Sequence, residues 1–448
     1  MRHEEGPDGA AQALARTGPT GDDRAVSPRI KPVSPQHAAE CKSFGPRAMA
    51  VTEAVAPKAR GLPGATVLQI LPALAETPAA RAAVDRAVAL LRSGARVIVA
   101  AEEGPLNSEL QSLGGEWVRL VTATTNPLSV TRNARTIANL VATERIDLVH
   151  AVGVGASRAA ATLKKRPGVW VVHSYATDDL KRPTRDKSYS KALAAGDRVI
   201  VPSYYVADQV ASRHQVPREK LAVIPRRIEG GRFDPRAISP ERAMVLRRGW
   251  KIGRGQRMIL VPGRIDPAKG QLTLVETARI LTNGGLRGVV FVLAGDNRAH
   301  FDYARKIAEQ AEAHGVAHLI RQVGVCSDMA GAYLATDFVA VPQNEPPAFP
   351  LAVAEAMAMG RPVIATNVGA IPEFVQAPPL VPESARTGWL AEPDDAVSFA
   401  RAIAAALASE AARYNAIGAR ARRVANQYFM PARTAVSAVD LYAGLFGG

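Results

Sequence analysis

"RMILVPGRIDPAKGQLTLVETARILTNGGLRGVVFVLAGD" runs from Arg257 to Asp296. Its opening, "RMILVPG", is a short apolar run closed by glycine and reads as a buried strand. Lys269 to Asn283 has apolar residues at helical spacing and stops at a glycine pair. "GVVFVLAGD" is again a continuous apolar strand. Strand, helix and strand make a parallel βαβ unit, and strands apolar throughout belong to a sheet covered on both faces. The alternation continues downstream in the strands "LIRQVG", "TDFVAVP" and "RPVIATN", with helices at His300–His314 and Ser327–Ala335. Upstream it appears as "TVLQILPAL", "RVIVAAE", "WVRLV", "IDLVHAVG", "VWVVHSY", "DRVIVPS" and "LAVIP". The predicted fold is α/β, with two Rossmann-like doubly wound domains facing each other across a cleft. The expected division is a disordered extension over 1–60, a first domain over 61–225, a basic linker over 226–256 and a second domain over 257–431. A C-terminal helix over about 432–448 is expected to pack back on the first domain.

The 448 residues suffice for two domains with separate cores. No apolar run reaches the ~20 residues of a membrane-spanning helix. The N-terminus is polar and lacks the basic-then-apolar pattern of a secretory signal. Two cysteines, Cys41 and Cys326, argue against a disulfide framework and against a Cys-based zinc site. A cytoplasmic location is expected. Between Ala160 and Arg257, 22 Lys+Arg stand against 9 Asp+Glu, so this stretch holds +13 of the net +15. It is either a solvated arginine-rich surface or a patch for anionic lipid or a phosphorylated substrate. Attachment to the inner face of the plasma membrane would follow from the lipid reading. No nucleic-acid partner is expected, because aromatic content is low and no recognition motif accompanies the charge.

In sheets of this kind ligands bind beyond the carboxyl ends of strands. Arg264 and Lys269 follow "MILVPG", and Lys269 opens a helix. Two cations beside a helix N-terminus suit a diphosphate; both being surface charges is the plainer alternative. Gly295 and Gly324 end two further strands and would let backbone approach a flat ring such as a nucleobase. In "NEPPAFPLAVAEAMAMGRPVIA" (Asn344–Ala365), Pro350 fits the first helical position. Glu355 then lies one turn inside an apolar helix. Its carboxylate either accepts two hydrogen bonds from a ribose diol or pairs with an Arg or a backbone cap.

"PGRIDPAKGQ", "LAGD", "VGVCSDMAGAY", "EAMAMGRPVIATNVGAIPEFV" and "TGWL", in this order and spacing, resemble glycosyltransferase family 4. The resemblance runs from about Ala65 to the C-terminus and is densest from Val261 to Glu392. It implies a GT-B fold and a hexosyltransferase-type enzyme that retains anomeric configuration. The donor would be a nucleoside-diphosphate sugar, with no cofactor and no metal, and the acceptor a glycan or glycolipid. Arg264 and Lys269 would then neutralise the departing diphosphate, Glu355 would hold the ribose, and His173 would reach toward the donor sugar. Gly263, Gly295, Gly324, Val325 and the amides of Leu351 and Ala352 would complete the donor site. The chain departs from the pattern at Pro347, where the first of two glutamates eight apart is expected, and at Pro350, where glycine is usual. Other departures are the glycine-free "AETPAAR" (Ala75–Arg81), Ser174 after the histidine, and Arg227 and Glu229 in the linker motif. Glu345 is the candidate replacement for the missing carboxylate. The leading expectation is transfer to a cell-surface polysaccharide or lipopolysaccharide precursor. The alternatives are a degenerate member that binds nucleotide without efficient transfer, and an unrelated two-domain binding protein.

Overall fold

The computed structural model describes residues 62–446, apart from 176–179 and 181–185. The extension over 1–60 and most of the basic cluster at 181–187 therefore lie outside the described residues. The described chain forms two compact units, 62–229 with 427–446, and 230–426.

The first unit contains β1 (Thr66–Ala73), β2 (Arg96–Glu102), β3 (Glu116–Arg119), β4 (Leu148–Val152), β5 (Trp170–Ser174), β6 (Arg198–Val201) and β7 (Leu221–Val223). They form one parallel sheet in the order β3-β2-β1-β4-β5-β6-β7. Successive residues feed opposite faces, and both faces are covered. Val67, Leu71, Val97 and Val99 pack under helix Pro78–Arg92 and the last helix, Pro431–Phe446. Leu68, Ile70, Ile98 and Ala100 pack with Ile137 and Val141 of helix Pro127–Thr143. Each Val, Leu or Ile among these contributes roughly 1.5–3 kcal/mol on full burial, and strands buried on both faces have no solvent face to call for polar alternation.

The second unit contains β8 (Arg257–Pro262), β9 (Val289–Ala294), β10 (Ile320–Gly324), β11 (Phe338–Val341), β12 (Val363–Thr366) and β13 (Gly388–Ala391). Its parallel order is β10-β9-β8-β11-β12-β13. The chain winds outward from β8 and then returns to β11 on the other side. The carboxyl ends of β8 and β11 are therefore a switch point where a crevice opens. The strand β13 has no counterpart in the strand reading of the sequence. "GWLA" offers no apolar run long enough to signal one.

A recurring device fixes strand register. Asp147 precedes β4, and its carboxylate accepts the Thr66 amide at 2.8 Å while its own amide donates to the Thr66 carbonyl at 2.9 Å. Asp337 before β11 does the same to Met258, at 2.8 and 2.9 Å. Asp197 before β6 does it to Val171, at 2.7 and 2.8 Å.

Within 226–256 the chain passes from one unit to the other between Glu229 and Gly230, and the residues on each side pack into their own unit. The Ile228 amide donates to Phe429 at 2.9 Å and Arg227 pairs with Asp85 at 2.6 Å, which holds this end in the first unit. From Gly230 the chain belongs to the second unit. Phe233 stands edge-on to Tyr333, and Arg242 of helix Pro240–Gly249 pairs with Asp328 at 2.5 Å. Many arginines of the basic 160–257 stretch are engaged in such pairs, Arg236 with Asp234 and Arg257 with Asp337 among them.

The last helix is anchored in the first unit by polar contacts as well as apolar ones. The Tyr442 hydroxyl and His150 Nδ1 are hydrogen-bonded at 2.7 Å, and His150 Nε2 meets Ser174 Oγ at 2.8 Å. Burial holds His150 well below the usual histidine range, so the ring is neutral and offers one donor and one acceptor. Tyr442→Phe leaves a buried ring nitrogen without this partner and is expected to cost about 1–3 kcal/mol. A thermal melt indistinguishable from wild type would show that the hydroxyl holds nothing.

Candidate functional site

A cavity of about 420 Å³ lies within the second unit, at the carboxyl ends of β8, β9 and β11. Its floor is the β8 end, Val261–Gly263, with Arg264 and Lys269 beyond it. Asp266 caps the short turn Pro267–Lys269 by accepting the Ala268 amide at 2.9 Å, and this turn places Lys269. The Lys269 side chain passes over Gly263, and its ammonium donates to Gln343 Oε1 at 3.0 Å. Gln343 is itself fixed. Its amide donates to the Glu345 carbonyl at 2.8 Å, and its own carbonyl accepts the Thr366 hydroxyl at 2.5 Å. Arg264 stands at the mouth, 67% exposed, with Asp266 3.5 Å away.

Glu355 lines the opposite wall. Its Oε2 accepts the Tyr333 hydroxyl at 2.9 Å, and that hydroxyl also lies 3.3 Å from the Ala352 carbonyl. Tyr333 is fully buried, and burial followed by the Glu355 charge pushes its phenol well above the ordinary range. It is therefore a permanent donor to the carboxylate. The helix Leu351–Ala358 begins on the same wall, with Leu351 and Ala352 lining the cavity and the positive end of its peptide dipoles facing it.

The structure thus gathers Gly263, Arg264, Lys269, Gly295, Val325, Leu351, Ala352 and Glu355 around one cavity. Gly324 stands just behind, its carbonyl accepting the Gly295 amide at 2.8 Å. The reason for glycine at 295 differs from the one expected. A Cβ there would come within 1.8 Å of the Gly263 carbonyl, so close packing of two strand ends already demands glycine. Pro350 is not the first helical residue. With φ −82° and ψ 77° it is the centre of an inverse γ-turn, and the Leu351 amide donates back to Phe349 at 3.0 Å. That amide is turned away from the diphosphate role expected of it.

Two further expectations are corrected. Glu345 is exposed and does not line the cavity; its amide donates to Ala268 at 3.3 Å and its carbonyl takes Gln343, which orients the residue outward. Pro347 does line the cavity, tied through its carbonyl to the Ala370 amide at 3.0 Å. His173 does not reach toward a ligand. It is fully buried in the first unit with its ring against Gly196, where a Cβ would stand 2.4 Å from it. Sequence reasoning also missed Gln343 and Tyr333. Gln343 directly follows the β11 run "DFVAVP", a strand-end position open to inspection. Tyr333 closes the stretch "VGVCSDMAGAY" that carries the family resemblance, but nothing in its spacing separates it from an ordinary core aromatic.

Two family profiles match the chain, "Glycosyltransferase Family 4" over 79–229 and "Glycosyl transferases group 1" over 256–409. The chain belongs to the family 4 glycosyltransferases. A D-inositol 3-phosphate glycosyltransferase of Actinosynnema mirum is 30% identical over 232 residues, which are 50% of this chain and 53% of that relative. The match thus spans about half of that relative's length. Among solved structures, a glycosyltransferase from Rickettsia africae has a TM-score of 0.69 at 22% identity, covering 86% of this chain and 99% of its own. Anabaena Alr3699/HepE in complex with UDP has a TM-score of 0.63 at 18% identity, covering 86% and 99%. These likenesses establish the fold of this family 4 chain as two Rossmann-like domains of the GT-B class. Among the described residues no helix is long and apolar enough to cross a membrane.

The burial of His173 has a measurable consequence. Desolvation drives its pKa down to about 4, against a smaller upward pull from the Ala192 backbone; the Lys220 charge lowers it slightly further. The unfolded chain protonates this ring near pH 6.5, so below that pH the unfolded state binds a proton that the folded state refuses. Stability is therefore complete above about pH 6.5 and falls as pH drops toward 4. The expected loss from this residue between pH 7 and pH 5 is about 2 kcal/mol. Urea midpoints at the two pH values should separate less in His173→Asn than in wild type. Equal separation would show that the ring is not held neutral.

Proposed function

We propose that this chain transfers a hexose from a nucleoside-diphosphate sugar, with retention, to a glycan or glycolipid precursor of a cell-surface polysaccharide or lipopolysaccharide. The observation that carries this reading is the cavity at the β8/β11 switch point, with Lys269 and Arg264 on one side and a Tyr333-held carboxylate, Glu355, on the other. The cations suit a diphosphate and the carboxylate a ribose diol. Uridine is the proposed base, because a protein of the same fold has been solved with UDP and with UDP-glucose. As the bond from the anomeric carbon to the diphosphate lengthens, negative charge grows on the leaving phosphate. Lys269, Arg264 and the start of helix Leu351–Ala358 are prearranged to stabilise it, so the chain needs no metal for this task. The exposed cations Arg248, Lys251 and Arg254 support attachment to an anionic inner-membrane surface.

The second reading, nucleotide binding without efficient transfer, is favoured by Pro347 standing in the cavity wall and by the outward Glu345. Release of nucleoside diphosphate from a panel of nucleotide sugars separates the two. Turnover on any donor supports transfer, and tight UDP binding with no turnover supports the second reading. Lys269→Ala is expected to lower turnover by roughly 10²–10³-fold and to weaken UDP at least ~10-fold by calorimetry. Unchanged UDP affinity would sink the site assignment.

A further inference from the structure

The carboxylate of Glu355 is one turn inside an apolar helix, and what bonds it is the tyrosine that closes the stretch "VGVCSDMAGAY". Tyr333 is fully buried on the short helix Met329–Ala335 and lines the same cavity. Its hydroxyl reaches Glu355 Oε2 at 2.9 Å and the Ala352 carbonyl at 3.3 Å, so it spans the first turn of the helix that carries Glu355. The ring cannot swing away. Phe233 packs edge-on against it, ring centres 5.9 Å apart at 71°, and is itself buried. The Arg232 guanidinium lies 5.4 Å from the Phe233 ring and donates to the Ser327 carbonyl at 3.3 Å, which fastens this segment near the start of the Tyr333 helix.

We infer that Tyr333 is the positioning residue for ribose recognition: its hydroxyl holds the Glu355 carboxylate in the one orientation that accepts both hydroxyls of a ribose diol. The inference rests on the proposed nucleotide-sugar reading and deepens it. A carboxylate on a flexible stem loses rotamer freedom when it binds, and a buried partner that has already ordered it removes that penalty. Tyr333 touches neither phosphate-binding cation, so its loss should spare the diphosphate contacts.

The test is calorimetric titration of the full chain with uridine, guanosine and adenosine diphosphates and with their 2′-deoxy counterparts. Wild type is expected to prefer the ribonucleotide of its own base by about tenfold or more, the measure of one charge-assisted hydrogen bond. Tyr333→Phe should reduce that preference to within about threefold, chiefly by weakening the ribonucleotide, and Glu355→Ala should abolish it with no further loss in the double variant. Should Tyr333→Phe not fold, Phe233→Leu leaves the hydroxyl but frees the ring and is expected to lower the same ratio. A Tyr333→Phe protein, or in its place a Phe233→Leu protein, that keeps the wild-type ratio overturns the inference. So does one that weakens ribo- and deoxyribonucleotides alike, which is the mark of a merely structural role. Wild type binding none of the six ligands overturns the nucleotide reading itself, and is distinguishable because it needs no variant.

Discussion

The pin between β8 and β11 at their amino ends is the constraint on which the second unit depends. The Thr336 hydroxyl accepts the Leu260 amide at 3.1 Å and donates to the Met258 carbonyl at 2.8 Å, while Asp337 clasps Met258 from both sides. These bonds are buried or partly buried, where an unmade hydrogen bond is costly, so the strands have little freedom at that end. The chain then departs in opposite directions from β8 and β11, and only their carboxyl ends are left to open. The cavity is the result. Lys269, Gln343 and the helix bearing Glu355 all sit where they do because they follow these two strands directly.

The fold was legible because its strands are buried on both faces. A parallel strand such as "VVFVLA" has no solvent face to encode, so it announces itself as an unbroken apolar run. The edge strand β13 escaped because Gly388 and Ala391 leave only Trp389 and Leu390 as large apolar residues, too few to form a run. The positions of the cations were legible too, since a strand end followed by a helix start is a local pattern. Orientation was not. Glu345 has the right charge in the right loop, yet its backbone is committed to Ala268 and Gln343, and the side chain follows the backbone outward. His173 has the right strand-end position, but its side chain falls on the face covered by Gly196. The outcome in each case depends on residues far away in sequence. The same holds for Gly295, where the demand for glycine comes from a neighbouring strand end rather than from a ligand.

The two charges on which the proposed chemistry relies are both held by neutral, buried partners. Gln343 holds the Lys269 ammonium and Tyr333 holds the Glu355 carboxylate. Neutral partners have a specific advantage over ionic ones. A carboxylate beside Lys269 would neutralise the field that a leaving diphosphate needs, and an arginine on Glu355 would compete with the ribose. An amide and a phenol fix direction without adding a charge of their own.

This distinction bears on Pro347. On the proposed reading, two separable tasks are performed in one cavity. Stabilising the departing diphosphate depends on Lys269, Arg264 and the helix start. Selecting the sugar depends on polar groups placed against its hydroxyls. Replacing a carboxylate by proline at 347 removes a sugar contact and leaves the cations and their Gln343 support in place. Leaving-group stabilisation grows in the transition state, whereas a hydroxyl contact present in both ground and transition state mainly sets affinity. The substitution therefore acts first on which sugar is bound and how tightly. On that reading the cations that would stabilise a departing diphosphate remain around Lys269, and a chain with Pro347 can be selective in a new way rather than inert.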